Sequence, residues 1–85
     1  NDNTSNTNTS VSFYRILKLT SPRMKGEDVR ALQKEIGVEA GGVFGPDTES
    51  KLKLTQKGLF PNNSKEWDGK AGKKTVISLG FSWIR

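Results

Sequence analysis

The stretch Gly42-Val43-Phe44-Gly45-Pro46-Asp47-Thr48 recurs in altered form 27 residues later as Gly69-Lys70-Ala71-Gly72-Lys73-Lys74-Thr75. Each copy has two glycines three positions apart and a threonine three positions after the second glycine. Glycine accepts the backbone angles of a tight turn, and proline fits the first position of a helix because its missing N–H is not needed there. The pattern therefore predicts a duplicated unit in which a loop runs into a helix.

Apolar spacing along the chain predicts three helices. Val29, Leu32 and Ile36 recur at the spacing of one helix face, with acidic residues before them and a glycine after them. Two further helices are expected to follow the two glycine-rich loops and to end at Gly58 and Gly80. The predicted helices are 27–36, 46–57 and 73–79.

The remaining apolar residues complete the predicted fold. The segment from Phe13 to Leu19 alternates loosely between apolar and polar residues, so an extended segment laid across the core is expected. Phe44 is the only large aromatic residue in either copy of the repeat, and we expect it in the core. The predicted fold class is all-α: a small three-helix bundle with a duplicated loop–helix repeat and an extended N-terminal segment.

Residues 1–12 differ in composition from the rest of the chain. They consist almost entirely of Asn, Thr and Ser, which bury too little apolar surface to offset the entropy lost on ordering. We interpret 1–12 as a flexible linker and 13–85 as one domain. The sequence begins without Met, so we expect a fragment whose missing part lies upstream.

Composition limits the chemistry of the chain. The net charge of +5 favours anionic partners such as nucleic acid, cell-wall polymers or a membrane surface, although ordinary solubility explains it equally well. The absence of His and Cys removes most catalytic triads and zinc sites. No apolar run approaches the roughly 20 residues that span a bilayer.

Two stretches of the sequence are similar to enzyme motifs. Glu66 and Asp68 could form a glycosidase pair, but a domain of this size offers no substantial cleft for them. The stretch 69–75 differs from a phosphate-binding P-loop because Lys73 stands where that motif needs glycine. We therefore expect no catalytic residues, no cofactor and no metal.

Three motifs in order resemble the small three-helix peptidoglycan-binding domain of bacterial and phage cell-wall hydrolases. The first, Gly26-Glu27-Asp28-Val29-Arg30-Ala31-Leu32-Gln33, is similar to the family's G-x-D-V-x-x-L-Q opening. The stretch 42–48 is similar to its G-x-F-G-x-x-T motif, and 68–75 with the later Leu79 is similar to a second copy. Gly41 stands where the family has Asp before the first copy, whereas Asp68 keeps that Asp in the second. The resemblance covers residues 17–80.

The resemblance implies a non-catalytic module that targets a lytic enzyme, such as a phage endolysin or bacterial autolysin, to the wall. The expected partners are peptidoglycan or an associated anionic wall polymer, and an N-terminal catalytic domain in the parent chain. The module is expected to be a monomer that binds neither nucleic acid nor membrane. It would act at the cell wall or outside the cell, or lie in the host cytoplasm before lysis if a phage encodes it.

Two alternatives remain open. A small basic helical domain that binds nucleic acid would concentrate Lys and Arg along one helix face, whereas here the basic residues are spread over helices and loops. A protein-docking module would use the apolar tail from Phe81 to Ile84, if that tail is exposed.

The motif residues are expected to be structural, because the glycines shape loops while Asp28, Asp47 and Thr48 serve helix starts. The ligand site is instead predicted at the entry to the third helix, from Trp67, Asp68, Lys70, Lys73 and Lys74.

The chemistry of these residues supports that position. Lys73 and Lys74 lie in a first helical turn, where the dipole disfavours cations, so something other than helix stability is expected to place them there. Sugar rings stack on Trp, while lysines and free helix N–H groups attract carboxylates and phosphates. The alternative is that Trp67 covers an apolar gap and that the lysines are merely exposed.

Overall fold

The computed structural model describes residues 11–84 and shows a mainly helical fold with one small sheet. The elements are β1 (Ser12–Phe13), α1 (Glu27–Ile36), α2 (Pro46–Leu59), a 3-10 turn (Ser64–Glu66), α3 (Lys73–Ser78) and β2 (Ser82–Trp83). The three predicted helices are present. The all-α fold class needs correction, because β1 and β2 form a two-stranded parallel sheet.

The sheet joins the two ends of the domain. Ser12 pairs with Ser82, and Phe13 pairs with Trp83. The Phe13 ring lies 4.8 Å from the Phe81 ring, centroid to centroid, and both residues are buried. The extended pairing therefore follows from apolar residues at both ends of the chain that reach the same core.

The predicted extended N-terminal segment is confirmed. Phe13 and Leu17 are fully buried, whereas Tyr14 and Ile16 between them are exposed. The folded part begins earlier than residue 13, because Val11 packs against the core and Ser12 belongs to β1. Residues 1–10 of the predicted linker lie outside the described residues.

Helix α1 has the predicted limits. Its apolar face is buried, and Gly37 ends it with a φ of 86°, in the left-handed region that favours glycine. The Gly37 N–H donates to the Gln33 carbonyl at 3.0 Å. The glycine that ended the apolar pattern is thus the residue that closes the helix.

Helix α2 is longer than predicted. It continues through Gly58 to Leu59, and the Phe60 N–H still donates to the Gln56 carbonyl at 2.8 Å. Gly58 does not have a positive φ, so it does not act as a helix terminator. Phe60 is held in turn by Trp67, whose indole N–H donates to the Phe60 carbonyl at 2.9 Å. This tertiary contact lies directly after the two residues by which α2 extends past its predicted end.

Asp28 was expected to serve the start of α1, and its Oδ1 accepts the Val29 backbone N–H at 2.9 Å within the first turn. The N-cap residues of the three α-helices in 11–84 are glycines and provide no side-chain cap. Asp28 also accepts two hydrogen bonds from the Arg15 guanidinium, at 2.9 and 3.0 Å. This hydrogen bonding raises the pKa of Arg15, although partial burial opposes the shift. Asp28 therefore ties α1 to the N-terminal segment.

Candidate binding site

A buried glutamine organises the loop before α2. The Gln33 side-chain amide donates to the Val43 carbonyl and to the Thr48 hydroxyl, both at 2.9 Å. Its side-chain oxygen accepts the Gly42 N–H at 2.8 Å. One side chain thus fixes both ends of the loop, and we call this arrangement the first glutamine clamp.

Gln56 does the same for the loop before α3. Its amide donates to the Lys70 carbonyl at 2.9 Å and to the Thr75 hydroxyl at 3.2 Å, and its oxygen accepts the Gly69 N–H at 2.9 Å. It also donates to Asp68 Oδ1 at 3.2 Å. In this second glutamine clamp, Gly69, Lys70 and Thr75 each lie 27 positions after their counterparts in the first, whereas the contact with Asp68 has no counterpart there.

Each clamped loop also pairs with the N-terminal part of the chain. The Phe44 N–H donates to the Met24 carbonyl at 2.9 Å, and the Ala71 N–H donates to the Leu17 carbonyl at 2.8 Å. Because positions 44 and 71 are equivalent, Met24 and Leu17 are equivalent as well. The sequence repeat is therefore a repeat of three-dimensional structure.

Four of the five predicted site residues line one surface depression at the start of α3, with a cavity volume of 180 Å³. We call it the second depression, because it lies beside the second copy of the repeat. Three of its residues are lysines and two are acidic. The lining residues are Ile16, Glu66, Asp68, Lys70, Gly72, Lys73, Lys74 and Thr75.

Some charged side chains of the second depression have a partner within the protein, and others have none. Asp68 Oδ1 accepts the Lys70 backbone N–H at 3.0 Å, and Lys74 Nζ lies 3.2 Å from Glu66 Oε2. The exposed ammonium groups of Lys70 and Lys73 form no ion pair or hydrogen bond with the described residues. These two lysines are the charges available to a ligand.

Trp67 does not line the second depression. It is half-buried, its indole N–H is taken by the Phe60 carbonyl, and Lys57 Nζ lies 5.5 Å from its ring centroid. The structure therefore groups Trp67 with the end of α2 and leaves the lysines apart from it.

Another, larger depression of 520 Å³ lies at the start of α2, beside the first copy of the repeat, and we call it the first depression. The sequence analysis did not predict it. All eight residues that line the second depression have structural counterparts that line this first depression. Given in the same order as the lining residues of the second depression, the counterparts are Arg23, Glu39, Gly41, Val43, Gly45, Pro46, Asp47 and Thr48. Gln33 and Val38 complete its lining. The repeat itself was the sequence signal for this site, because it implies that a surface formed by one copy recurs at the other.

The apolar tail is largely used inside the fold. Phe81 is buried and Trp83 is half-buried, whereas Ile84 is 65% exposed. The docking alternative requires an exposed apolar tail. In the described part of the tail, Ile84 is the one apolar residue that is exposed.

Over residues 11–84, no group of three or more acidic, His or Cys side chains is placed to hold a metal ion. Nor does this part of the chain contain a helix with the length and apolar character needed to cross a membrane. Comparison of the chain with family models, with curated proteins and with solved structures gave no match.

Proposed function

We propose that this chain is a non-catalytic module that binds the bacterial cell wall, through peptidoglycan or an associated anionic polymer. An attached lytic enzyme would thereby be held at a high local concentration on its insoluble substrate. The observation that carries the proposal is the second depression, where the ammonium groups of Lys70 and Lys73 lie unpaired beside a recess in the surface.

The chemistry of the second depression suits an anionic polymer. Lysine ammonium groups bind carboxylates and phosphates as point charges, without the fixed geometry that arginine imposes. Both lysines are exposed, so their attraction for a ligand should weaken with salt. The recess supplies a shape that a flat basic surface lacks.

The glutamine clamps also explain why the family-like motifs support the fold more than the ligand site. Gln33, Gly42 and Thr48 are motif residues, and their polar groups bond to one another inside the protein. The ligand-binding groups are therefore expected around the motifs, at positions such as 70 and 73.

The test is retention of the chain, fused to a fluorescent protein, on purified cell-wall sacculi before and after removal of teichoic acids, over a salt series. We expect retention that falls with salt. Substitution of both Lys70→Gln and Lys73→Gln should weaken it roughly tenfold or more, since a lysine close to an anionic surface contributes about 1 kcal/mol. The matched control removes two exposed lysines elsewhere, with Lys18→Gln and Lys34→Gln.

The outcomes separate the possible targets. Retention on stripped sacculi supports peptidoglycan as the ligand, and loss on stripping moves the target to the anionic polymers. Equal weakening by the two double variants would show that net charge acts alone, without a site. Absence of retention on both preparations would overturn the proposal, and tight, steeply salt-dependent binding to DNA instead would favour the nucleic-acid alternative.

A further inference from the structure

The two depressions differ at a pair of equivalent positions. In the second, Glu66 and Lys74 form an ion pair with an N–O distance of 3.2 Å. In the first, the same two positions hold Glu39 and Asp47, both of which line the depression. The first depression thus has two carboxylates at the positions where the second depression has a carboxylate and an ammonium group.

Arg23 adds a positive charge to the first depression. It occupies the position that Ile16 has in the second, next to the residue that pairs with the loop. Arg23, Glu39 and Asp47 are all exposed, and none of their side chains forms an ion pair or a hydrogen bond with another residue in the 11–84 range. Charges of both signs are therefore available around one cavity.

The first depression also has space and apolar walls. Its 520 Å³ lie within the range of about 300–1,000 Å³ that is usual for small-molecule sites. Val38, Val43 and Pro46 contribute apolar surface, and the last two replace lysines of the second depression. A ligand with a small apolar body and both charges would match these walls.

We propose that the first depression binds a small zwitterion, a free amino acid or a short peptide that carries both a free ammonium and a free carboxylate. Its ammonium group would lie between Glu39 and Asp47, as that of Lys74 lies by Glu66, and its carboxylate would lie against Arg23. This inference deepens the proposed function and rests on it only for the source of the ligand, a peptide of the cell wall. The chain would then recognise two chemistries at two equivalent places: anions at one and a paired ammonium and carboxylate at the other.

The test is an NMR titration of the isotope-labelled chain with the dipeptide alanyl-alanine, which carries a free ammonium and a free carboxylate. We expect saturable shifts of backbone amides within 39–48. Its N-acetylated form should bind about tenfold more weakly or worse, because acetylation removes the positive charge that would lie between Glu39 and Asp47. Its C-terminal amide should also bind more weakly, because the partner of Arg23 is lost. Free alanine, titrated in parallel, distinguishes an amino acid from a dipeptide as the better ligand.

Variants locate the binding. The double variant Glu39→Gln, Asp47→Asn should lose the preference for the free amine, and Arg23→Gln should lose the preference for the free carboxylate. The control double variant Glu27→Gln, Glu35→Gln removes two exposed acids from α1 and should bind the dipeptide like the parent chain. Thermal unfolding of each variant verifies that it is folded.

Equal binding of the free and N-acetylated dipeptides would overturn the inference, and so would shifts confined to 66–75 or no saturable shifts. Sacculus retention, measured on the same proteins, separates the two proposals. Retention without dipeptide binding would remove the zwitterion site and leave the proposed function standing. Dipeptide binding without retention would keep the zwitterion site and remove the wall as its source.

Discussion

The two loop–helix junctions share their buried hydrogen bonds and differ in their exposed charges. Gln33 and Gln56 make the same contacts to a glycine N–H, a carbonyl and a threonine hydroxyl. The surface around the first clamp offers one arginine and two acids, whereas that around the second offers three lysines and two acids. A buried polar group must keep its partners, because leaving them unpaired is costly, while exposed positions carry no such constraint.

The junctions also differ in how they are supported. Helix α1 buries six of its residues and is tied to the N-terminal segment by Arg15 and Asp28, whereas α3 buries two residues. The short α3 is followed directly by β2, which pairs with β1. Helix α1 is therefore held by its buried face and an ion pair, and α3 by the second glutamine clamp and by the strand pairing that follows it.

The largest effect is expected from removing either glutamine clamp. Gln33→Leu leaves the Gly42 N–H and the Thr48 hydroxyl buried without their partner, and Gln56→Leu does the same to Gly69 and Thr75. Each substitution should lower the free energy of unfolding by about 2–4 kcal/mol, because an unsatisfied buried group costs about 1–3 kcal/mol. Urea denaturation of both variants gives the two values to compare.

Amide hydrogen exchange tells whether the two units open separately. With independent units, Gln33→Leu should speed exchange of the Gly42 amide more than that of the Gly69 amide, and Gln56→Leu should do the reverse. Equal acceleration at both glycines in both variants would mean that the loops open only together with the whole domain.

A smaller effect is expected from the ion pair between Arg15 and Asp28. Asp28→Asn should cost about 1–3 kcal/mol, because it removes the charge from a nearly buried carboxylate that accepts two hydrogen bonds from Arg15. Asp47 is likewise the second residue of its helix, but it is exposed, so Asp47→Asn should cost only the dipole contribution of about 0.3–1 kcal/mol. Equal losses in thermal unfolding would refute this distinction.

The pH dependence of this pair follows from the direction of the shift. The hydrogen bond to Asp28 raises the pKa of Arg15 above its ordinary value. The contribution of the charged guanidinium is then fully present below the ordinary pKa of arginine and is lost only as the pH rises beyond it. The stability difference between the parent chain and Asp28→Asn should therefore stay constant from neutral to mildly alkaline pH.

The sequence predicted the elements with strong local signals. The apolar spacing and the left-handed Gly37 define α1, and the glycine–phenylalanine loop places Phe44 in the core. The glutamine clamps were not predicted, because Gln33 precedes its loop glycine by 9 positions and Gln56 precedes its own by 13. The spacing between clamp and loop thus varies while the contacts persist, which a pattern of fixed period cannot reveal.

The second depression was predicted because most of its residues are close together in the sequence. The first depression was not predicted, because its residues come from segments that only the fold brings together. Lys70, Lys73 and Lys74 fall within one short stretch, so their proximity was visible in the sequence. Arg23 and Asp47 meet around the first depression only because the segment before α1 pairs with the loop before α2. Trp67 is adjacent to Asp68 in the chain, yet its indole turns to the end of α2.

The smallest expected effect concerns the glycines near the ends of α1 and α2. Gly58 lies inside α2 without a positive φ, and a Cβ added there would meet nothing within 4 Å. Gly58→Ala should therefore stabilise the domain by about 0.5–1 kcal/mol, because alanine loses less backbone entropy than glycine in a helix. Gly37→Ala should destabilise it, since Gly37 has a φ of 86° at the end of α1. Thermal unfolding of both variants measures the contrast, and destabilisation by Gly58→Ala would mean that α2 ends at residue 57, as its sequence first indicated.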